Sequence, residues 1–435
     1  MDDLATRGVP PQSVDDRVKD LYMRYPYPPA EADMGVALFA LLDYVRYVLW
    51  PERANLDGLR VLDAGCGTGQ IAVQIARAYP QVHVVGIDIS SASLDVARRR
   101  AHAAGLTDES RLSFRQAAIE QLAPEEHQFD YVISSGVLHH LADPVDGARR
   151  LARLLTPTGG LGIMLYAPHG RHGVYVLQEA LRRLVGDRDF AQQVVVARQV
   201  LAGLPDGHPF KPTQFADQDW ADDAGLVDLL LHVRDRSFSV PEIYDLLEQS
   251  GLRLERFFSP LAYRPENHTG DPGLRTQLAT LDQKEGATIA ELLCGVMPMH
   301  AFFATRAAHR PMRPALTEAT LMLMRPVRSP LFRWDELRGA PKQGSKSKPS
   351  GRHQPPPRTF NLVQRNTGAL TRSFELDAWI VEILDRCDGN RTAREILDDA
   401  RVAAMVPGAS PQEKAHRAGQ LMQFLAQQEV LLFDA

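Results

Sequence analysis

The chain has 435 residues, 44% hydrophobic and 24% charged, with a formal net charge of −5 and three cysteines. That length exceeds one ordinary hydrophobic core and predicts two or three units. The acidic balance argues against a nucleic-acid binder with a broad basic surface. Cys66, Cys294 and Cys387 are scattered and lack C-x-x-C spacing, which fits a reducing, cytoplasmic compartment.

The first residues, Met1-Asp2-Asp3, are acidic and show no apolar signal region. Residues 14–24 read as a short helix. Prolines then hold Tyr25-Pro26-Tyr27-Pro28-Pro29 extended. Tyr25 and Tyr27 either close over a pocket as a lid and offer hydroxyls, or cover a hydrophobic edge of the core. Val36–Trp50 is the most apolar helix candidate, but Asp43 and Arg46 interrupt it. It falls short of the roughly 20 residues a membrane span needs, and reads as an amphipathic helix packed on the core. Residues 1–54 together form an N-terminal cap.

A strand at 60–64 then runs into Gly65, Gly67 and Gly69, followed by a helical pattern over 69–79. Glycines at such a turn adopt backbone angles closed to other residues and let a ligand approach closely. The helix start offers free backbone N–H groups. Asp88 ends the next apolar run, Val84-Val85-Gly86-Ile87, and can accept hydrogen bonds from both hydroxyls of a ribose. The glycine spacing is one residue tighter than the dinucleotide fingerprint. Asp63, two positions before the first glycine, would repel a pyrophosphate but favours an ammonium. A ligand with a ribose, an ammonium and no phosphate fits, which describes S-adenosylmethionine. The bland reading of the same turn is tight strand–helix packing.

Further strands are expected near 83–88, 112–116, 130–135 and 161–166, with helices near 91–104 and 143–155. This alternation implies a parallel sheet with right-handed crossovers. The glycine turn and Asp88 both fall at carboxyl ends of strands, where such sheets bind ligands.

Residues 60–166 resemble the core of the class I S-adenosylmethionine-dependent methyltransferases. The matching pieces, in the family's order and spacing, are Asp63-Ala-Gly-Cys-Gly-Thr-Gly69, Gly86-Ile-Asp88-Ile-Ser90, Phe129-Asp-Tyr-Val-Ile-Ser134, Val137-Leu-His-His-Leu141 and Leu155-Thr-Pro-Thr-Gly-Gly160. The resemblance implies an α/β, Rossmann-like fold: a mostly parallel seven-stranded sheet with helices on both faces. It implies that Asp63 holds the methionine amino group and that Gly65, Gly67 and Gly69 pack under the cofactor, with Cys66 a small buried filler among them. Asp88 would bind the ribose and Ile89 the adenine face. Ala118 and Ile119 fall where the family often has an acid-plus-apolar pair reading the adenine. Alanine at 118 departs from that pattern and leaves only backbone N–H contacts there. Ser134 completes the implied cofactor set.

Beyond Tyr166 the segment 167–238 reads as an insertion, with a helix near 174–184. A helix then runs to Gly251 with Ser239 as cap. Strands are expected over 252–258 and 301–305, the last antiparallel as the resemblance implies. The methyltransferase domain thus spans 55–308, with a second insertion at 264–298. Residues 309–338 form a connecting segment, and the Gly/Ser/Lys/Pro-rich 339–358 a flexible linker. The end, 359–435, reads as a small, mainly helical domain with helices over 376–387, 392–403 and 411–429, weakly resembling PqqD-like winged-helix domains.

Methyl transfer needs alignment above all. A base is needed only if the acceptor must lose a proton. His139 and His140, after the fourth strand, are the candidate bases, set against a role in shaping the pocket. His169 and His172, after the fifth strand, have similar standing, His169 as a substrate-side residue. His232, Arg234 and Arg236 either bind an anionic group or form an ion-paired face. No metal-ligand spacing is apparent. No Asn/Asp-Pro-Pro-Tyr/Phe follows the fourth strand, which argues against nucleobase-amine and glutamine-amide acceptors. The expected function is methyl transfer to an N or O nucleophile on a protein or peptide side chain or on a small metabolite. An RNA methyltransferase and a non-catalytic binding module are the remaining readings. No membrane partner is expected, and the sequence does not reveal the oligomeric state.

Overall fold

Arg60–Ala64 buries every residue but the first, and His83–Asp88 alternates before turning apolar, so both are strands of a covered sheet. The computed structural model describes residues 13–29, 37–123, 129–186, 188–216, 222–311, 317–330, 332–337, 358–364, 370–408, 410–427 and 431–434. It divides into two compact units. One comprises 1–32 with 57–309, the other 33–56 with 310–435. None of the described helices is long and apolar enough to cross a membrane.

Two helices, α1 (Val14–Arg24) and α2 (Leu42–Leu49), precede the first strand. The first unit then alternates β1 (Arg60–Ala64), α3 (Gln70–Ala78), β2 (His83–Asp88), α4 (Ser91–Ala103), β3 (Leu112–Gln116), β4 (Phe129–Ser135), α5 (Pro144–Arg153) and β5 (Leu155–Tyr166). Helices α6 (His172–Val185), α7 (Phe190–Ala202) and α8 (Asp223–Leu230) follow. The unit closes with α9 (Val240–Gln249), β6 (Leu252–Phe257), α10 (Pro272–Leu278), α11 (Gln283–Cys294) and β7 (Met299–Arg306). The sheet order is β3-β2-β1-β4-β5-β7-β6. The first five strands pair in parallel, and β7 runs antiparallel to both neighbours. This is the Rossmann-like fold the resemblance implies.

Strand β5 is longer than expected. The expected span is 161–166, but the strand begins at Leu155, which pairs with Phe129 of β4 before a register shift brings Gly160 opposite Tyr131. Helix α5 starts on Asp143, whose side chain accepts from Asp146 N, with Pro144 at the first helical position. Helix α9 starts on a capping box of Ser239 and Glu242. Both helices bury an apolar face against the sheet. Leu151, Leu246 and Leu247 join Leu161, Ile163, Phe302 and Ala304 in one core.

A second core belongs to the first insertion. Leu21 of α1 packs with Val174, Leu177 and Leu181 of α6, Phe190 and Val194 of α7, and Leu226 and Leu230 of α8. The N-terminal helix and the insertion therefore form one cap.

The second unit corrects two expectations. Helix α2 buries Leu42, Tyr44, Val45, Val48 and Leu49 completely, but it groups with the C-terminal region, not with the catalytic core. Amphipathic spacing shows that a face is buried and cannot show against what. The N-terminal 54 residues are thus split between the units. After α12 (Glu318–Leu321) come β8 (Arg325–Arg328) and β9 (Phe332–Leu337), then β10 (Arg358–Gln364) and β11 (Leu370–Leu376). Helices α13 (Ala378–Asp385), α14 (Ala393–Asp398), α15 (Ala400–Met405) and α16 (Pro411–Gln427) lead to β12 (Leu431–Asp434). Strand β9 pairs with β10 and β8 pairs with β12, all antiparallel. The segment expected as a connector therefore supplies two strands to the C-terminal region. Residues 339–357, most of the expected linker, lie outside the described residues.

Phe302 is fully buried at the centre of the antiparallel end of the sheet. Phe302→Ala should lower the unfolding free energy by about 3–5 kcal/mol in denaturant titration. A loss below about 1 kcal/mol would show that this end carries little of the stability.

Candidate active site

The turn after β1 is built by its glycines. Gly65, Gly67 and Gly69 have φ of 81°, 50° and 76°, in the left-handed region that L side chains avoid. At Gly67 an added Cβ would also collide with the Tyr27 carbonyl. Gly65 N and Cys66 N both donate to Ile87 O at 2.8 Å, which ties the turn to β2. Cys66 is buried, and burial raises its thiol well above its ordinary range, so it is a filler and not a nucleophile.

Two carboxylates flank this turn. Asp88 Oδ2 accepts from Gly67 N at 2.9 Å and Oδ1 from Ser90 N at 2.8 Å. Each oxygen keeps a further lone pair. Asp63 is 2% exposed, and its Oδ2 has no hydrogen-bond partner. Burial pushes its carboxyl up to about 7. The Asp88 charge adds to that shift and a backbone hydrogen bond from Ala72 opposes it. A buried carboxylate oxygen without a donor is costly unless a ligand supplies one. An ammonium meets that need and a phosphate does not, so this carboxylate pair fits an amino-acid-bearing nucleoside.

The tyrosine–proline strap lies on the turn. Tyr27 O accepts from Thr68 N at 3.3 Å, and Pro28 O accepts from Thr68 Oγ1 at 2.8 Å. Arg100 clamps the pair, donating to Thr68 O at 2.6 Å and to Pro29 O at 3.2 Å. The two strap tyrosines diverge. Tyr25 packs edge-on against Phe190 of the cap, 6.2 Å between centroids, so its ring covers an apolar edge. Tyr27 is half-buried; burial raises its hydroxyl, the Asp228 charge adds to that rise and the Arg171 charge opposes it.

Beyond β4 and β5 lies a buried polar chamber. His139 is fully buried, stacked on Tyr166 at 3.9 Å, and neither ring nitrogen has a partner. Burial holds His139 well below its usual range, in the neutral form. His140 Nδ1 lies 2.8 Å from Arg234 O. It must therefore donate, which leaves a lone pair on the unpartnered Nε2. His232 stacks on His140 at 3.8 Å and accepts from Arg234 N through Nδ1, so its buried Nε2 carries the proton. Arg171 is 2% exposed, with its guanidinium 3.5 Å from the Tyr166 ring centre and from Asp235 Oδ2. Asp235 Oδ2 also accepts from Gln178 Nε2 at 2.9 Å, and Oδ1 is unpartnered. Tyr22 links the two halves of the site. Its hydroxyl donates to Asp228 at 2.9 Å, and its carbonyl accepts from Ser90 Oγ at 2.9 Å.

His139 and His140 thus meet in this chamber with His232. His169 does not join them; it sits 3.9 Å from Glu291, which also pairs with His300. Arg234 pairs with Asp15 at 2.6 Å and Arg236 with Glu242 at 3.8 Å, so the ion-paired reading holds for both. Ser134 is buried with an unpartnered hydroxyl, and Ile89 is half-buried. Ala118 precedes a short helical turn at Ile119–Gln121. Ile119 is buried in the sheet's core, so its side chain serves packing first. Tyr22, Arg171, Gln178, Asp228 and Asp235 were not singled out from the sequence. Arg171 and Asp235 lie 64 positions apart, and only the fold brings them together.

Comparison with known proteins agrees with this architecture. Residues 55–205 match the family model described as a methyltransferase domain. The chain is 30% identical over 308 residues to an uncharacterized protein of Synechococcus, spanning 68% of this chain and 73% of that one. It is 30% identical over 211 residues to a ubiquinone biosynthesis O-methyltransferase of Roseobacter denitrificans, covering 47% of this chain and 66% of that enzyme. In fold it is similar to PKMT2 from Rickettsia typhi in complex with AdoHcy, at TM-score 0.65 and 14% identity, covering 94% of this chain and 77% of that one. The chain belongs to the class I S-adenosylmethionine-dependent methyltransferases. Its cofactor is S-adenosylmethionine.

Two predictions follow from the turn. Asp63 titrates near 7 when no ligand is bound, above its unfolded value of 3.8. Its contribution to stability is therefore present below about pH 4 and is lost as pH rises through 7. A ligand ammonium favours the ionised form, so S-adenosylhomocysteine affinity should rise from about pH 6 to about pH 8 with proton release. Calorimetry should show this in the wild type and not in Asp63→Asn; a flat wild-type profile would contradict it. Gly67→Ala should displace the strap and weaken S-adenosylhomocysteine binding by about tenfold or more. Unchanged affinity would show that the strap contact is dispensable.

Proposed function

We propose that the chain transfers the cofactor's methyl group to an oxygen or nitrogen of a polypeptide side chain inserted into the chamber of His139, His140, Tyr166, Arg171, His232 and Asp235. The observation that carries this reading is the set of buried polar atoms there without partners: both nitrogens of His139, Nε2 of His140 and His232, and Oδ1 of Asp235. Such atoms call for a polar ligand. The groups are buried, and the surface near them favours a chain. Gly170 N, just before Arg171, donates to Met297 O at 2.9 Å, and the neighbouring Leu292, Leu293 and Val296 form an exposed apolar strip.

In this reading Asp63 takes the cofactor's ammonium through Oδ2, and the remaining lone pairs of Asp88 take the ribose hydroxyls. S-adenosylmethionine supplies a methyl group on a positively charged sulfur, and that charge disappears as the C–S bond breaks and the bond to the acceptor forms. His140 Nε2 accepts the proton that an alcohol or ammonium acceptor must lose. Arg171 orients the acceptor through its planar guanidinium. Tyr22 and Tyr27, with the cap above them, exclude water from the transfer.

A second reading, a small polar metabolite, is favoured by the burial of these polar groups and by the similarity to ubiquinone biosynthesis O-methyltransferases.

Incubation of the protein with methyl-labelled cofactor and a cell extract should place the label in the protein fraction. Label confined to small molecules would favour the second reading, and label in RNA would contradict both. Arg171→Lys keeps the charge and loses the planar fork, and should lower kcat/KM for the acceptor by about tenfold or more. Cofactor affinity should change by less than about twofold. Equal losses in both would place Arg171 in the framework and not at the acceptor.

A further inference from the structure

Three of the chamber's unpartnered groups converge. One donor atom each from His139, His140 and Asp235 lies within 4.8 Å of the other two. His139 and His140 are 0% and 6% exposed, and the Asp235 side chain is 2% exposed. We propose that these residues form a site for a borderline divalent cation of the Zn²⁺ class, whose open position takes an oxygen or nitrogen of the acceptor. The last clause rests on the acceptor reading above, with one difference: a bound cation takes the His140 Nε2 lone pair, so His140 serves as proton acceptor only while the site is empty. The cation site itself does not rest on that reading.

The donor set is two imidazoles and one carboxylate, which suits Zn²⁺ and its neighbours and is too rich in nitrogen for Mg²⁺ or Ca²⁺. Three protein ligands with a fourth position open is the pattern of reactive metal sites. The surrounding contacts orient the donors as outer-shell partners do. His140 Nδ1 is fixed on Arg234 O at 2.8 Å, which leaves the buried, unpartnered Nε2 as its ligating atom. Asp235 Oδ2 is held by Gln178 at 2.9 Å and by Arg171, which leaves Oδ1 for the ion. Tetrahedral ligands about 2.0–2.1 Å from a metal stand about 3.3 Å apart. Small side-chain rotations therefore close the set. The Arg171 charge opposes a cation, but the buried Asp228 and Asp235 carboxylates together offset it. His232 carries its proton on Nε2 and spends its Nδ1 lone pair on Arg234 N, so it is not a ligand in its present tautomer.

Sequence spacing could not show this site, because Asp235 lies 95 and 96 positions from the two histidines and joins them only through the stretch after α8.

The test is a Co²⁺ titration of the full-length chain after chelator treatment. Ligand-field absorption should saturate at one Co²⁺ per chain and be displaced by Zn²⁺. His140→Gln and Asp235→Asn should weaken binding by about tenfold or more, and Gln178→Ala, which removes the donor to Asp235 Oδ2 and to Leu229 O, by about tenfold. His83→Gln, on an exposed residue at the start of β2, should bind as the wild type does. S-adenosylhomocysteine binding reports whether each variant is folded. Absence of the absorption in the folded wild type would overturn the site, as would equal Co²⁺ affinity in folded His140→Gln and Asp235→Asn. No methyl acceptor enters this measurement. Its failure therefore leaves the transfer reading standing, and a failed labelling experiment leaves the cation site standing.

Discussion

A carboxylate buried at the end of the first strand governs the site. Asp63 stands at the floor of a turn made of left-handed glycines, with one oxygen lacking any donor. Strands β1 and β2 are neighbours in parallel register, Asp63 opposite Gly86, so Asp88 arrives beside the same turn. Two acids so close to one bend would be a liability for a fold that bound nothing there. They become complementary only to a ligand carrying both a cation and hydroxyls. The glycines permit the close backbone approach, and Asp88 braces their loop through Gly67 N and Ser90 N.

The rest of the site is arranged around that turn by the cap. Helix α1 shares a core with the first insertion, so the strap that follows it is held from both ends. Its backbone carbonyls rest on Thr68, while Tyr22 joins Ser90, beside the glycine turn, to Asp228 of the cap. Movement of the strap therefore affects both halves together. Arg171 follows the same logic. Its guanidinium is placed by Tyr166, the last residue of β5, and by Asp235, which follows the cap. The chamber is thus assembled where the sheet's carboxyl ends meet the insertion, the position at which open α/β sheets bind ligands.

The cofactor half was legible because its residues are local. Asp63, Gly65, Gly67, Gly69 and Asp88 fall within one strand–turn–helix–strand unit, where spacing along the chain fixes spacing in space. The parallel part of the sheet was legible for the same reason: alternating apolar runs and capped helices are local signals. The acceptor half was only half legible. His139 and His140 stand out as a pair after β4, but their partners Tyr22, Arg171, Asp228 and Asp235 come from three distant segments. A buried arginine or aspartate carries no local mark that separates it from a surface one. Helix α2 failed in a similar way, since its apolar face was clear and its partner was not. Strand β8 was missed because its partner β12 lies at the far end of the described chain, and β-pairing at long range leaves little trace in a short window. Strand β9 pairs with β10 across the Gly/Ser/Lys/Pro-rich stretch, whose composition reads as a linker.

The central claim is that the Asp63 carboxylate selects a nucleoside bearing an ammonium. It is tested most directly by comparing S-adenosylhomocysteine with 5′-methylthioadenosine, which lacks the amino-acid end, on the wild type and on Asp63→Asn. A charge-assisted hydrogen bond of about 1.5–3 kcal/mol predicts that the wild type's preference for S-adenosylhomocysteine exceeds that of Asp63→Asn by about tenfold or more. An equal preference in the two proteins would contradict the account.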